Sequence, residues 1–245
     1  MATNILTNAR LFVAQYNLSG DMNAIKLVTG AMTRPDTVFG ASYDTVKGGG
    51  ALIKTELSGS GFVQSSSTGV EDVLTGKVGV DQTLITVAGE GGDVGESCRF
   101  FCGGFDSYDA GAKIGDMHQF NYTAKNSRLA TANPLVRGYI MEDGKTSRTT
   151  ALNGATQLLG ATSATQKVYA GLHLTAFSGT DVTFTLKSAV TDWGTPTTRF
   201  TFTTNSAVGS EYLTPISGAI TDTFWRIEAT GTFTSFSAVL VAGIQ

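Results

Sequence analysis

The clearest outline of a chemical site lies in the stretch KGGGALIKT, which runs from Lys47 to Thr55. Glycine-rich loops that end in Gly-Lys-Ser or Gly-Lys-Thr cradle phosphates, because their backbone amides and the lysine converge on the anion. Here Ile53 precedes Lys54, and the residues after Gly50 alternate like a strand instead of forming a helix. The stretch lacks the spacing of a phosphate loop, so the sequence predicts no nucleotide cofactor.

The residues available for acid–base catalysis are few and scattered. His118 and His173 are the two histidines, each lies in a strand-like run, and no Gly-x-Ser-x-Gly nucleophile motif accompanies them. The acidic pair at 71–72 lies in the first turn of a predicted helix, and the pair at 142–143 lies at a predicted linker. Neither pair offers the contrasting environments that separate an acid from a base. We expect a protein that is not an enzyme and has no catalytic residues.

Cys98 and Cys102 are the two cysteines. In an extended strand four residues span about 13 Å, whereas a disulfide requires Cα atoms within about 7 Å. Two thiols without nearby histidine or acidic ligands also fall short of a zinc site. The sequence predicts buried, reduced cysteines, no metal site and no cofactor.

Aromatic residues of the C-terminal part are the remaining candidates for ligand binding, because exposed rings stack on sugars. In the run TFWRIE alternate side chains point inward, so either Phe224 or Trp225 faces outward or into a partner. We interpret three residues as candidate surface or interface aromatics, namely Trp193, Tyr212 and Trp225. A glycan-binding module is the alternative to a core or interface role.

The composition favours a protein that binds other protein chains. Hydrophobic residues make up 41% of the 245 residues, but charged residues only 15%, against roughly 25% in typical domains. Surfaces depleted in charge are typical of subunit interfaces, and residues 144–245 carry only five acidic and six basic side chains. The net charge of −3 argues against a protein that grips nucleic acid through a basic patch.

Short runs of Thr, Val, Ile and Phe, separated by Gly, Asp and Asn turns, predict an all-β fold. Period-two alternation is clearest in DVTFTLKS, which places Val182, Phe184 and Leu186 on one face. Strands at roughly ten-residue spacing are typical of a sandwich or jelly roll.

One helix is predicted near residues 69–79. Thr68 and Glu71 have the spacing of a capping box. An apolar stripe of helical period follows, at Val70, Val73, Leu74 and Val78. The segment after residue 143 has few large apolar residues and is interpreted as a linker, so the predicted domains are 1–143 and 144–245.

Residues 6–143 resemble the tail tube, or major tail, proteins of long-tailed bacteriophages. The matching segments are NARLFVAQYNLSGDMNAIKL, DTVFG, GGGALIKTELSGSGF and GVEDVLTGKVG. The resemblance implies a β-sandwich or barrel with one flanking helix, whose copies pack into rings that stack into the tube for genome ejection. The implied partners are other copies of the chain, tape-measure protein, other tail proteins, and double-stranded DNA in transit without specific binding. The ring is expected to be a hexamer, or a trimer of a duplicated domain.

A stacked tube also needs a contact from one ring to the next, for which glycine-rich hinges are suitable. We predict an inter-subunit, ring-stacking loop made of Phe39, Tyr43, Lys47, Gly48, Gly49, Gly50 and Leu52. Pro35 fixes the entry of this segment, and its glycines allow it to bend.

The C-terminal block, with GAITDTFWRIEATGTFTSFSAVLVAGI, is similar to β domains appended to phage virion proteins. It is expected to be a second, jelly-roll-like sandwich, either an outer accessory domain or a second tube-forming domain. The alternatives for the whole chain are a capsid decoration protein, a baseplate protein or a glycan-binding module.

The expected location is the virion, in the phage tail, after assembly in the bacterial host cytoplasm. No basic region followed by an apolar one opens the sequence, and no apolar run approaches the roughly 20 residues of a membrane span. We therefore expect no membrane partner.

Overall fold

The structure is a computed structural model that describes residues 9–35, 46–63, 69–89, 91–114, 116–126, 135–192 and 194–245. It confirms the all-β fold with one minor helix. Every strand pairing with a described register is antiparallel.

In chain order the elements are β1 (Arg10–Val13), β2 (Tyr16–Asn17), β3 (Met22–Pro35), β4 (Val46–Phe62), α1 (Val70–Thr75), β5 (Thr83–Ala88), β6 (Ser97–Gly111), β7 (Gln119–Asn126), β8 (Val136–Asp143), β9 (Leu152–Asn153), β10 (Gln157–Leu158), β11 (Lys167–Ala189), β12 (Thr197–Thr201), β13 (Gly209–Tyr212), β14 (Ile216–Ser217) and β15 (Phe224–Ile244).

The chain divides into two compact units. Unit 1 comprises Met1–Gly20, Thr83–Cys102 and Val136–Gln245, and unit 2 comprises Asp21–Gln82 and Gly103–Leu135. The expected domain boundary after residue 143 falls inside unit 1, because β8, which ends there, pairs with β15 near the end of the chain.

Unit 1 is built on the long ladder between β11 and β15, which runs from the Val168–Ile244 pair to the Ala189–Phe224 pair. The sheet continues from β15 through β8, β6 and β5 to β1 and β2, and β12 lies at the other edge. Alternation in DVTFTLKS is confirmed, since Val182, Phe184 and Leu186 are all buried.

The ladder is buried on both faces where β15 pairs with β8. In this part of the ladder, even-numbered residues, such as Leu172 and Leu240, belong to one apolar core. Odd-numbered residues, such as Tyr169 and Val241, belong to a second core that also contains Phe100 of β6. Because successive side chains of a strand point to opposite faces, one pair of strands serves two cores.

The segment expected to be a linker is packed structure instead. β9 and β10 both pair with β15, and Leu152 is buried in the first core. A two-residue strand can be held at a sheet edge by a single buried apolar side chain. A segment with few large apolar residues can therefore still contain strands.

Unit 2 is a four-stranded sheet in the order β3, β4, β7, β6. Its buried side chains include Leu57, Phe105, Phe120 and Tyr122. Opposite Tyr122 lies Gly59, where a Cβ atom would come within 2.6 Å of the tyrosine oxygen. A glycine is needed there because the tyrosine ring lies directly over the backbone.

The helix is shorter than expected, and its N-cap is Gly69 without a side-chain hydrogen bond. The predicted capping box is therefore wrong, because the N-cap position falls on Gly69 and not on Thr68. Val70, Val73 and Leu74 are buried as the apolar stripe predicts, whereas Val78 lies beyond the helix and is half-exposed.

Candidate assembly surfaces

Strand β3 forms an open edge of the unit 2 sheet. Among the described strands it pairs only with β4, and its ladder is regular from the Ala24–Ser60 pair to the Ala31–Ile53 pair, with bulges beyond both ends. Lys26 is the single charged residue in residues 24–31. Proteins normally protect such an edge with charges, prolines or bulges, because its free backbone groups pair readily with another chain.

The hairpin of β3 and β4 extends beyond the rest of this sheet. β7 pairs with β4 only from Glu56 to Phe62, so the preceding part of β4 has β3 as its one described neighbour. A two-stranded ribbon is marginally stable in water by itself. An additional strand from another chain would stabilise this ribbon.

The outward face of unit 2 carries small polar side chains and paired charges. Ser58, Asn121 and Thr123 share this face with the Lys54–Glu56 ion pair, whose atoms Nζ and Oε2 lie 2.5 Å apart. The hydrogen bond from Lys54 and its positive charge lower the pKa of Glu56. Lys125 forms a further ion pair, with Asp106. The charges of this face are thus largely balanced.

Five of the predicted ring-stacking residues lie in a strand and not in a loop. Lys47, Gly48, Gly49, Gly50 and Leu52 all fall within β4. The backbone of Gly48 pairs with Thr33 of β3, and that of Lys47 pairs with Arg34. These residues form a strand because β3 supplies backbone hydrogen-bond partners, which a loop would lack. Their contact with a neighbouring ring stays a prediction.

The other two predicted stacking residues, Phe39 and Tyr43, lie outside the described residues, as does Trp193.

Trp225 is fully buried in the first core, so its assignment as a surface or interface aromatic is wrong. Its Nε1 donates a hydrogen bond to the Gly160 carbonyl oxygen at 3.1 Å. Within TFWRIE it is Trp225 and Ile227 that point inward, which leaves Phe224 partly exposed. Trp225 therefore has no face for stacking on a sugar.

Tyr212 is partly buried, and its ring meets that of Phe100 edge-on at 6.3 Å between centroids. Its hydroxyl is buried, and burial is the main cause that raises its pKa. An aromatic in this setting packs against the second core.

His173 is fully buried in unit 1 and holds a turn in place. Its Nδ1 lies 2.5 Å from the Ala14 carbonyl oxygen, and its Nε2 lies 2.8 Å from Thr86 Oγ1. Since a carbonyl only accepts, Nδ1 carries the proton and Nε2 accepts from the Thr86 hydroxyl. Burial lowers the pKa of His173 to about 4, although the hydrogen bond to Ala14 opposes the shift. The ring is therefore neutral and structural.

The remaining polar groups of unit 1 form structural pairs. Ser188 and Arg199 both donate to the Asp222 carboxylate, at 2.5 and 2.8 Å. Burial raises the pKa of Asp222, but these hydrogen bonds and the arginine charge outweigh it and leave the pKa lowered. Glu142 is buried, and its Oε1 lies 2.8 Å from Nη2 of Arg148. Burial is the dominant effect here and raises the pKa of Glu142.

Two other titratable sites lie elsewhere than expected. His118 is exposed in unit 2 and precedes β7 instead of lying within a strand, and the 142–143 acidic pair ends β8 instead of lying in a linker. The 71–72 acidic pair lies in the first turn of α1. Cys98 and Cys102 are buried and free of disulfides, as expected, and burial raises the pKa of Cys98. In the described ranges no three metal-ligating side chains cluster, and no helix is long and apolar enough to cross a bilayer.

Sequence reasoning missed an apolar tip on unit 2. The connection from β6 to β7 turns at Lys113, where the Asp116 amide donates to the Lys113 carbonyl oxygen at 2.9 Å. Ile114, within that turn, is fully exposed, and Met117 is 65% exposed. Apolar residues inside a Gly- and Asp-containing turn, as in AKIGDMHQ, were the signal that could have revealed it.

Comparisons with known proteins give distant structural likenesses. Neither the protein-family models nor the curated proteins contain a match. The chain is similar to a chain of the virion of a native gene transfer agent particle (14% identity, TM-score 0.36) and to one in the tail of an empty gene transfer agent particle with C6 symmetry (14%, 0.35). Each match covers 51% of this chain and 94% of the other.

A third likeness is to the Dit protein of phage SPP1, described as a paradigm of the hub adsorption apparatus in phages that infect Gram-positive bacteria. The identity is 11% and the TM-score 0.37, over 97% of this chain and 99% of that one. All three TM-scores lie below 0.5, so these likenesses carry no weight for the role of this chain.

Proposed function

We propose that the protein is a structural subunit of a phage tail, whose copies associate side by side into rings that stack into the tail tube. The observation that carries this proposal is the open edge of β3, which offers a regular ladder over residues 24–31 with one charged residue. An edge of this kind gains backbone hydrogen bonds when a strand of another chain adds to it.

Two further observations support the proposal, one for self-association and one for a conduit that does not bind DNA. The chain has only 15% charged residues, and subunit interfaces are depleted in charge. The outward face of unit 2 has balanced charges and small polar side chains. Such a face gives a duplex no basic patch to bind, which suits a conduit through which DNA passes without specific binding.

The proposal is tested by electron microscopy of the purified protein in negative stain. We expect rings and stacked rings from the wild-type chain. Val28→Lys places a second charge at the centre of the β3 edge, where the side chain is 44% exposed. This variant is expected to stay monomeric with an unchanged unfolding temperature.

Val208→Lys is the matched control, because Val208 is 45% exposed and belongs to unit 1, whereas β3 belongs to unit 2. It should assemble like the wild type. A wild-type chain that stays monomeric at high concentration contradicts the proposal. Rings that never stack would favour the baseplate alternative over the tube.

A further inference from the structure

The apolar tip of unit 2 and a shallow groove lie at opposite ends of the paired part of strands β6 and β7. The tip comprises Lys113, Ile114, Asp116 and Met117, all exposed. The groove, of about 350 Å³, is lined by Val80, Asp81, Phe105, Asp106 and Lys125, among others. β7 runs from the tip at Gln119 to the groove at Lys125, a span of about 20 Å.

We propose that unit 2 docks head to tail on a second copy of this chain, with the Ile114 tip of one copy seated in the groove of the next. This inference rests on the proposed function in one respect, that the partner is another copy. Because the tip and the groove are different surfaces at opposite ends, the contact is heterologous and propagates from copy to copy.

The two surfaces are complementary at the Ile114 and Lys113 side chains of the tip. Val80 in the groove is 42% exposed and offers an apolar contact to the Ile114 side chain. The tip places Lys113 beside Ile114, and the groove carries Asp81 and Asp106. Lys125 already pairs with Asp106, so Asp81 is the carboxylate assigned to Lys113 of the neighbouring copy.

Backbone hydrogen bonds lie at both surfaces. The Asp116 amide donates to the Lys113 carbonyl oxygen at 2.9 Å, which lowers the conformational entropy that docking costs at these two residues. On the groove side, Gly79 has a φ of 78°, and its amide donates to the Phe105 carbonyl oxygen at 3.0 Å. Both surfaces are thus held by backbone hydrogen bonds.

The test uses the full chain and measures self-association by sedimentation velocity and electron microscopy. Burying an isoleucine side chain stabilises a contact enough that Ile114→Ser should weaken head-to-tail association by about 10- to 100-fold. Leu158→Ser is the matched control, since Leu158 is 70% exposed in unit 1. Unfolding temperatures check that both variants stay folded.

A charge exchange tests the assigned pairing. Lys113→Glu alone and Asp81→Lys alone should each weaken stacking, because like charges then meet across the contact. An equimolar mixture of the two variants should restore it, as should the double variant. Suppose that Ile114→Ser abolishes stacking, but that neither the mixture of Lys113→Glu and Asp81→Lys nor the double variant stacks. The tip then contacts a different surface, and the groove assignment is overturned.

The outcomes separate this inference from the proposed function. Rings that form normally but fail to stack in Ile114→Ser support the head-to-tail contact. Rings that form and stack equally well in Ile114→Ser and in the wild type overturn the contact and leave the proposed function intact. A wild-type chain that never self-associates overturns both.

Discussion

Acidification should destabilise the protein through His173, a buried base that the folded state keeps neutral. Its pKa is about 4 in the folded chain and about 6.5 in an unfolded one. Between these values the unfolded state binds a proton that the folded state does not. The stabilising contribution is therefore complete above pH 6.5 and is lost as the pH falls toward 4.

The magnitude follows from the difference between the two pKa values. Each unit corresponds to about 1.4 kcal/mol, so the free energy of unfolding should fall by about 3 kcal/mol over this range. Because domains are stable by only about 5–15 kcal/mol, this loss is a large fraction of the total. His173 is fully buried, so solvent does not screen the effect.

The assay is urea unfolding followed by circular dichroism from pH 7.5 to pH 4.5, at a fixed low protein concentration. His173→Asn keeps a donor near the Nδ1 position toward Ala14 and cannot titrate. It should be less stable than the wild type at pH 7.5, because the Thr86 hydroxyl loses its acceptor. The deficit should shrink by about 2–3 kcal/mol on acidification.

His118→Asn is the control, since His118 is exposed. It should follow the wild-type curve at every pH. If the wild type and His173→Asn lose stability in parallel from pH 7.5 to 4.5, the buried neutral histidine is not the cause, and the reasoning fails.

Three further predictions concern packing. Gly138→Ala would place a Cβ atom 2.3 Å from the Ala242 carbonyl oxygen, so we expect a loss of about 1–3 kcal/mol, and an unchanged thermal unfolding midpoint would disprove the close approach. A chain truncated to residues 1–143 keeps unit 2 but loses β11 and β15 from the second core; it should unfold less cooperatively than the full chain, and an equally sharp transition would show that the rest of this core forms without those strands. Trp225→Phe removes the hydrogen bond to Gly160 and should lower the free energy of unfolding in urea by about 1–2 kcal/mol. Added sugars should not raise the free energy of unfolding of the wild type, because Trp225 is buried.

Local patterns in the sequence predicted individual strands well. Alternation identified the buried face of Val182, Phe184 and Leu186, and the strand-like run around Cys98 and Cys102 correctly predicted that both are buried. These features depend on residues within a few positions of one another, where period and reach suffice.

Features set by distant partners were not predictable in the same way. The glycines at 48–50 looked like a hinge because nothing local showed that Gly48 would pair with β3 and that all three would lie within β4. In TFWRIE the alternation was evident, but which set faced inward depended on the core that β11 and β15 share. The exposed Ile114 contradicts hydropathy itself, which assigns isoleucine to the interior.

The sharing of β15 between two cores also sets the order of events during synthesis. About 80 residues separate the end of β8 from the start of β15, which takes about 4–16 s at the usual rate of about 5–20 residues per second. Until then the second core lacks Val239 and Val241, and its apolar side chains stay open to water. Folding of the second core is thus completed only after β15 emerges from the ribosome.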